Sequence, residues 1–295
     1  MKELEQFVAQ SRAKWRSLRA RLPLGARGAS PVRVVLELDR VGEGAPTPAD
    51  WKKTLVSSIT WLGPVRVCVK SSGDSIARAL DLVRFCHRLE CPTHLVTAGP
   101  VSDEEAVAFL DRGLGAVTVR VAGLDEPTQQ AVVGNSLESA ANALYAFSTA
   151  RGQRSRSLGI LVNVPAHPTN LDSLEAISGW ALQSGADRVV LGLPAGEEAF
   201  AAEASQVWDA TSLEIPGPLR SVLEGKKPQA QPLRVVLGGD GQLRVSDDTA
   251  ALGSWQEKDP AALWASGGQQ IEQALGSKRP FDEVELLPEV LVSLR

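Results

Sequence analysis

Eight polar residues carry most of the chemistry that this sequence could do: Glu37, Asp39, Lys70, Ser72, Asp74, Arg120, Asn163 and His167. Each lies at or just beyond the end of a short apolar run, with Ser71 and Thr97 beside them. A lysine, an arginine and several carboxylates around one mouth either bind a small anionic or zwitterionic ligand or pair with one another and fill the space. Other chemistries lack their residues. Three cysteines (Cys68, Cys86, Cys91) and three histidines (His87, His94, His167) give no CxxC and no histidines four apart, so no metal site is expected. A nucleophilic serine would need a GxSxG elbow, which is absent. Gly238, Gly239, Asp240 and Gly241 join two strand-like runs instead of opening a helix, which makes them a hairpin turn and not a phosphate cradle. No catalytic residue is assigned.

The elements that must position these side chains alternate. Short β-branched runs predict strands at Val32 to Leu38, Val65 to Val69, Thr93 to Val96, Val117 to Val121, Leu158 to Val164 and Arg188 to Leu193. Helices of 3.6-residue period lie between them. Their starts are Thr47 with Pro48 and Asp50, Asp74 before Ile76, the capping box of Ser102 and Glu105, Ser136, and a point near Asn170. Each helix returns the chain to the same end, so the sheet must be mostly parallel. An open doubly wound sheet and a partial barrel share this pattern, and both bind ligands at the C-terminal ends of their strands. Leu4 to Leu22 reads as an amphipathic helix followed by a linker from Pro23 to Pro31. After Pro194 the rhythm breaks into a helix from Glu197 to Ala210, a loop from Pro216 to Pro232, and a hairpin of Leu233 to Leu237 and Gln242 to Val245. Weak helical character recurs around Ile271 to Leu275.

A chain of 295 residues with 31 Lys and Arg against 35 Asp and Glu, net charge -4, offers no general field for nucleic acid. It contains no run of 18 apolar residues, and Met1 to Gln6 lack the apolar core of an export signal, so no membrane span and a cytoplasmic location are expected. An odd number of cysteines without an export signal predicts reduced, buried thiols.

Taken in order, these segments resemble the radical S-adenosylmethionine (SAM) superfamily. Val34 to Arg40 (VVLELDR) is similar to the family's first strand, which normally runs into a CxxxCxxC loop; here Val41 to Thr47 contains no cysteine. Val65 to Ser75 (VRVCVKSSGDS) stands where the family has a strand and a GGEP turn, echoed by Gly73 and Asp74 alone. Thr93 to Gly99 and Ser102 to Gly113 resemble the third strand and its helix. Val117 to Thr128 (VTVRVAGLDEPT) is similar to the strand and loop written VxxSLDGxxxxxH, with Arg120 replacing the serine. Ser136 to Ala150, Leu158 to Val164 and Asn170 to Gly185 match the next helix, strand and helix, with Asn163 and Asn170 where the family often has asparagines. Val235 to Val245, Leu252 to Gly253 and Ala261 to Trp264 resemble the ending of members with a SPASM or twitch extension, without its cluster cysteines.

The resemblance implies an α/β fold. It is a partial (β/α)6 TIM-like barrel of parallel strands with an N-terminal amphipathic helix and a small C-terminal β-hairpin appendage. The implied division is 1–30 helix and linker, 31–195 barrel, and 196–295 helix, twitch-like hairpin and tail. It also implies a member without iron–sulfur ligands, because reductive SAM cleavage needs three thiolates on one short loop. The expected role is that of a pseudoenzyme acting by binding, as partner or regulator of another protein. The alternative is a non-radical barrel enzyme or small-molecule-binding protein using the polar strand ends. No cofactor is expected, SAM held without a cluster being the one variant of that expectation.

Overall fold

The structure is a computed structural model and describes residues 33–40, 42, 44–63, 65–154, 157–192, 234–245, 250–268 and 270–271, with Asp74 by its backbone alone. In chain order the elements are β1 (Arg33–Glu37), α1 (Pro48–Leu62), β2 (Arg66–Lys70), α2 (Ile76–Arg88), β3 (Thr93–Thr97), α3 (Asp103–Asp111) and β4 (Ala116–Arg120). They continue with α4 (Glu126–Val133), α5 (Leu137–Arg154), β5 (Gly159–Pro165), α6 (Leu174–Gln183), β6 (Arg188–Gly192), β7 (Arg234–Gly238), β8 (Gln242–Arg244), β9 (Gly253–Ser254) and α7 (Pro260–Ser266). Short 3-10 turns at Gly73–Ser75 and Leu171–Ser173 lead into α2 and α6. The expected helices at Leu4 to Leu22 and Glu197 to Ala210, and most of that at Ile271 to Leu275, lie outside the described residues.

The fold is α/β with a mostly parallel sheet and a C-terminal antiparallel hairpin, as the alternation demanded. All six expected strands form, within one or two residues of their predicted bounds. The chain divides into two compact units, the boundary falling inside β3 between His94 and Leu95, with Ser71–Ile76 belonging to the second.

In the first unit the strands run β2-β1-β7-β8-β9. β1 pairs in parallel with β2 (Glu37 opposite Lys70) and with β7 (Glu37 opposite Gly238), while β8 and β9 follow antiparallel. The hairpin therefore extends the sheet of β1. Thr47 and Asp50 cap α1 reciprocally, as their spacing requires. The buried face of α1 presents Trp51, Leu55 and Ile59. The ring of Trp51 lies 4.8 Å from that of Trp255, and Trp61 lies 5.8 Å from Trp264 of α7. Ser57 of α1 also hydrogen-bonds Asp259, the residue that caps α7.

The second unit orders its strands β3-β4-β5-β6. β4 pairs with β5 and β5 with β6, all parallel (Arg120 opposite Asn163, Asn163 opposite Val190). Ser102 and Glu105 form their expected capping box on α3. Phe109 of α3 meets Phe147 of α5 at 6.0 Å, both fully buried. One element departs from the expectation of a loop after β4. Residues 126–133 fold into α4, because Asp125 accepts from the Thr128 amide, Pro127 sits in the first turn, and Gly134 ends the helix in the left-handed region. Arg151 closes the opposite end of this unit, its Nη1 donating to both oxygens of Asp187 at 2.6 and 2.7 Å while Asp187 accepts from the Ile160 amide. Among the described residues no helix is long and apolar enough to cross a membrane.

Candidate functional site

Each unit carries part of the expected polar set. In the first, β1 and β2 end side by side, which brings the Lys70 Nζ to 3.5 Å from Glu37 Oε1. Arg40 Nη1 donates to Glu37 Oε2 at 3.2 Å, and its Nε stands 3.9 Å from Asp240 in the hairpin turn. Arg244 binds the same Asp240 through both terminal nitrogens, at 3.1 and 2.5 Å. Burial would raise the Asp240 carboxyl, but hydrogen bonds from Arg244 and the Gln242 amide, with the charges of Arg244 and Arg40, hold it below the usual carboxylate range. Asp39 is exposed. Glu37 and Lys70 thus belong to a chain of ion pairs that runs from β2 to β8.

The backbone closes the same place. Gly239 donates to the Glu37 carbonyl at 2.8 Å, and Trp255 Nε1 donates to the Gly238 carbonyl at 3.2 Å. A Cβ on Gly239 would lie 2.5 Å from the Arg40 carbonyl and 3.0 Å from that of Leu38. One on Gly42 would lie 3.0 Å from Asp240 Cβ. The turn is packed on the segment that leaves β1 as closely as glycine permits.

The thiols of this unit lie elsewhere. Cys68 is inside β2, Cys86 in α2 and Cys91 just beyond it, and all three are buried and unbridged. Cys68 Sγ contacts His94 Nδ1 at 3.6 Å. Burial, helped by Arg33, pushes the His94 ring down to about 3, so it is neutral at ordinary pH. Cys86 and Cys91 flank a left-handed helix end in which Glu90 has φ 56°, and the Cys91 amide donates to the Cys86 carbonyl at 3.0 Å. This is the position at which helix ends of this kind make an apolar contact. Burial and the neighbouring Cys91 push the Cys86 thiol well up. Among the described residues no group of three or more His, Cys, Asp or Glu is placed to hold a metal ion.

In the second unit, Arg120 and Asn163 are register partners and so share one face of the sheet. Arg120 is partly buried and Asn163 is 4 % exposed. His167 turns its ring onto its own loop, Nδ1 lying 2.8 Å from Thr169 Oγ1. Ser72 uses its carbonyl, which accepts from the Ser75 amide and hydroxyl at 3.3 and 3.1 Å. Two buried amides that the sequence did not single out as site residues fix these strand ends. Gln129, fully buried on α4, accepts from the Ala122 and Gly123 amides at 2.7 and 3.4 Å and donates to the Arg120 carbonyl and Asn135 Oδ1. Asn170, also fully buried, donates to the carbonyls of Ala122 and Pro165 at 2.7 and 2.8 Å and accepts from the His167 amide at 2.9 Å. Asn170 stands directly ahead of the 3-10 turn at Leu171–Ser173, a local signal that Gln129, inside α4, does not have.

The stretch after Arg40, Val41 to Thr47, contains no cysteine, and the three thiols of the chain are held in β2 and around the end of α2.

No family model and no curated protein matches the chain. Solved structures do. SuiB of Streptococcus suis, bound to S-adenosylmethionine, aligns at a TM-score of 0.61 and 12% identity over 80% of this chain and 64% of its own. The anSMEcpe structure with bound AdoMet aligns at 0.58 and 11% over 84% of this chain and 85% of its own. This chain spans less than two thirds of the length of SuiB. At such identities the likeness shows the fold alone.

Proposed function

We propose that this chain is a radical-SAM-like protein that works without an iron–sulfur cluster, binding another protein as its partner or regulator and doing no radical chemistry. The observation that carries this reading is the closure at the end of β1. Where a cluster loop would begin, Glu37, Lys70, Arg40, Asp240 and Arg244 are joined by ion pairs, and Gly239 packs against the backbone of the departing chain. On this reading, side chains paired with one another fill the place that a cofactor would take. On this reading residues 31–195 are the retained barrel region in the cytoplasm. The partner is met through the N-terminal segment, amphipathic in sequence, or through the C-terminal hairpin. No cofactor is required.

Anaerobic reconstitution with iron and sulfide tests the reading. The expected result is iron well below one cluster per chain and intact SAM after reduction. Stoichiometric iron accompanied by SAM cleavage would sink it.

A further inference from the structure

We propose that the outer face shared by α1 and α2 is a docking surface for an acidic segment of a partner protein, with Lys52, Arg78, Arg84 and Arg88 supplying the positive charge. The proposal rests on the reading of the chain as one that binds another protein, and adds to it a surface within the barrel region.

All of these residues belong to the first unit. Lys52 on α1 places its Nζ 6.0 Å from the centre of the Phe85 ring on α2, which joins the two helices at that point. Along α2, Arg78, Asp81, Phe85 and Arg88 follow one another at intervals of three or four residues and share a face, and Arg84 adjoins it one turn before Arg88. Asp81, Arg84 and Arg88 are exposed, while Lys52, Arg78 and Phe85 are half-buried. Four cations thus stand around one carboxylate, on a chain whose net charge is -4.

The placement is not what fold stability favours. The ion pairs described above for the first unit, Glu37 with Lys70 and Arg40 and Asp240 with Arg40 and Arg244, engage none of the four. Arg84 and Arg88 are like charges four residues apart, an arrangement that destabilises a helix. Arg88 lies in the last turn of α2, where the helix dipole favours a cation, but Arg78 lies in the first turn, where the dipole opposes one. Carboxylates brought from outside relieve a charge surplus that the scaffold itself does not use.

The form of the face selects the partner. From Arg78 to Arg88 it runs about 15 Å, about three turns of a partner helix. Phe85 gives it a partly apolar centre ringed by arginine, residue types that carry energy at protein–protein contacts. A nucleic acid extends far beyond the patch and meets the negative charge of the rest of the chain, whereas the carboxylates of a short protein segment meet the patch alone.

Fluorescence anisotropy of a dye-labelled helical peptide of about 20 residues, made of glutamate, leucine and alanine, tests the surface on the full chain at low salt. The expected result is saturable binding below about 100 μM that weakens as salt is added and is absent for the same peptide with glutamine in place of glutamate. Arg88→Glu, and Arg84→Gln combined with Arg88→Gln, should each weaken it about fivefold or more, with Tm kept within about 2 °C because both positions are exposed. Lys258→Glu changes the net charge as much as Arg88→Glu does, at another exposed position of the same unit, and should change binding less than about twofold. No binding of the glutamate peptide, or an equal loss in Lys258→Glu and Arg88→Glu, would overturn the surface. So would tighter binding of a DNA duplex or of phosphatidylserine vesicles that is lost in the same arginine variants. The cluster reconstitution is independent: iron uptake with SAM cleavage overturns the parent reading whatever the peptide does, and a silent titration without iron uptake removes the acidic-partner surface alone.

Discussion

The Asn170 carboxamide holds the carbonyl of Ala122 at 2.7 Å across 48 residues of sequence, and the same nitrogen reaches the Pro165 carbonyl at 2.8 Å. One buried side chain thereby fixes the segment after β4 against the end of β5. Asn170→Ala leaves two carbonyls and the His167 amide without their partner, and the expected loss is about 2–4 kcal/mol in urea unfolding. Asn170→Asp is expected to be worse, because a carboxylate oxygen would face two carbonyl oxygens. A wild-type midpoint for the aspartate variant would show that the amide does not donate as described.

His94 should make stability depend on pH. Its folded value of about 3 lies below the ordinary 6.5, so between these limits the unfolded chain takes up a proton that the folded chain refuses. Stability is therefore full above about pH 6.5 and falls as the solution is acidified, by about 2–3 kcal/mol at pH 4.5. Urea midpoints from pH 7.5 to 4.5 check this. His94→Gln should flatten the part of the slope that carboxylates do not supply.

Two glycines should respond oppositely to alanine. Gly239→Ala drives a methyl into the Arg40, Leu38 and Glu37 carbonyls and should cost about 1–3 kcal/mol while loosening the hairpin from β1. Gly152 lies in α5 with open space around its missing Cβ, and Gly152→Ala should stabilise by about 0.5–1 kcal/mol. Thermal denaturation of the pair separates crowding from backbone entropy.

The three buried thiols should resist a thiol-reactive dye in the native state and react together once the chain is unfolded. Rapid native labelling of Cys86 would contradict the burial that pushes its thiol up.

Much of the fold is legible in local sequence because its signals are local. β-branched runs placed six strands, and the Thr47–Asp50 and Ser102–Glu105 boxes marked two helix starts that formed as read. α4 was missed because EPTQQAVV has weak apolar periodicity and owes its helix to its caps. The pairing of β7 with β1 was invisible for another reason: it joins residues some two hundred positions apart, and nothing in either run names its partner. The site divides likewise. Glu37 and Lys70 could be placed at strand ends, but that Asp240 and Arg244 complete their ion pairs depends on the same long-range pairing. Asn163 was read as a polar rim residue; its missing hydrogen bond exists only in three dimensions.

β1 lies between β2 and β7, so one of its two edges stays bare until residues 234–238 have been made. A nascent chain on the ribosome must therefore carry an apolar RVVLE strand with an open ladder through most of its synthesis, a template for association with other chains. Truncation before residue 234 should consequently be felt first as insolubility at the start of the protein and not at its end.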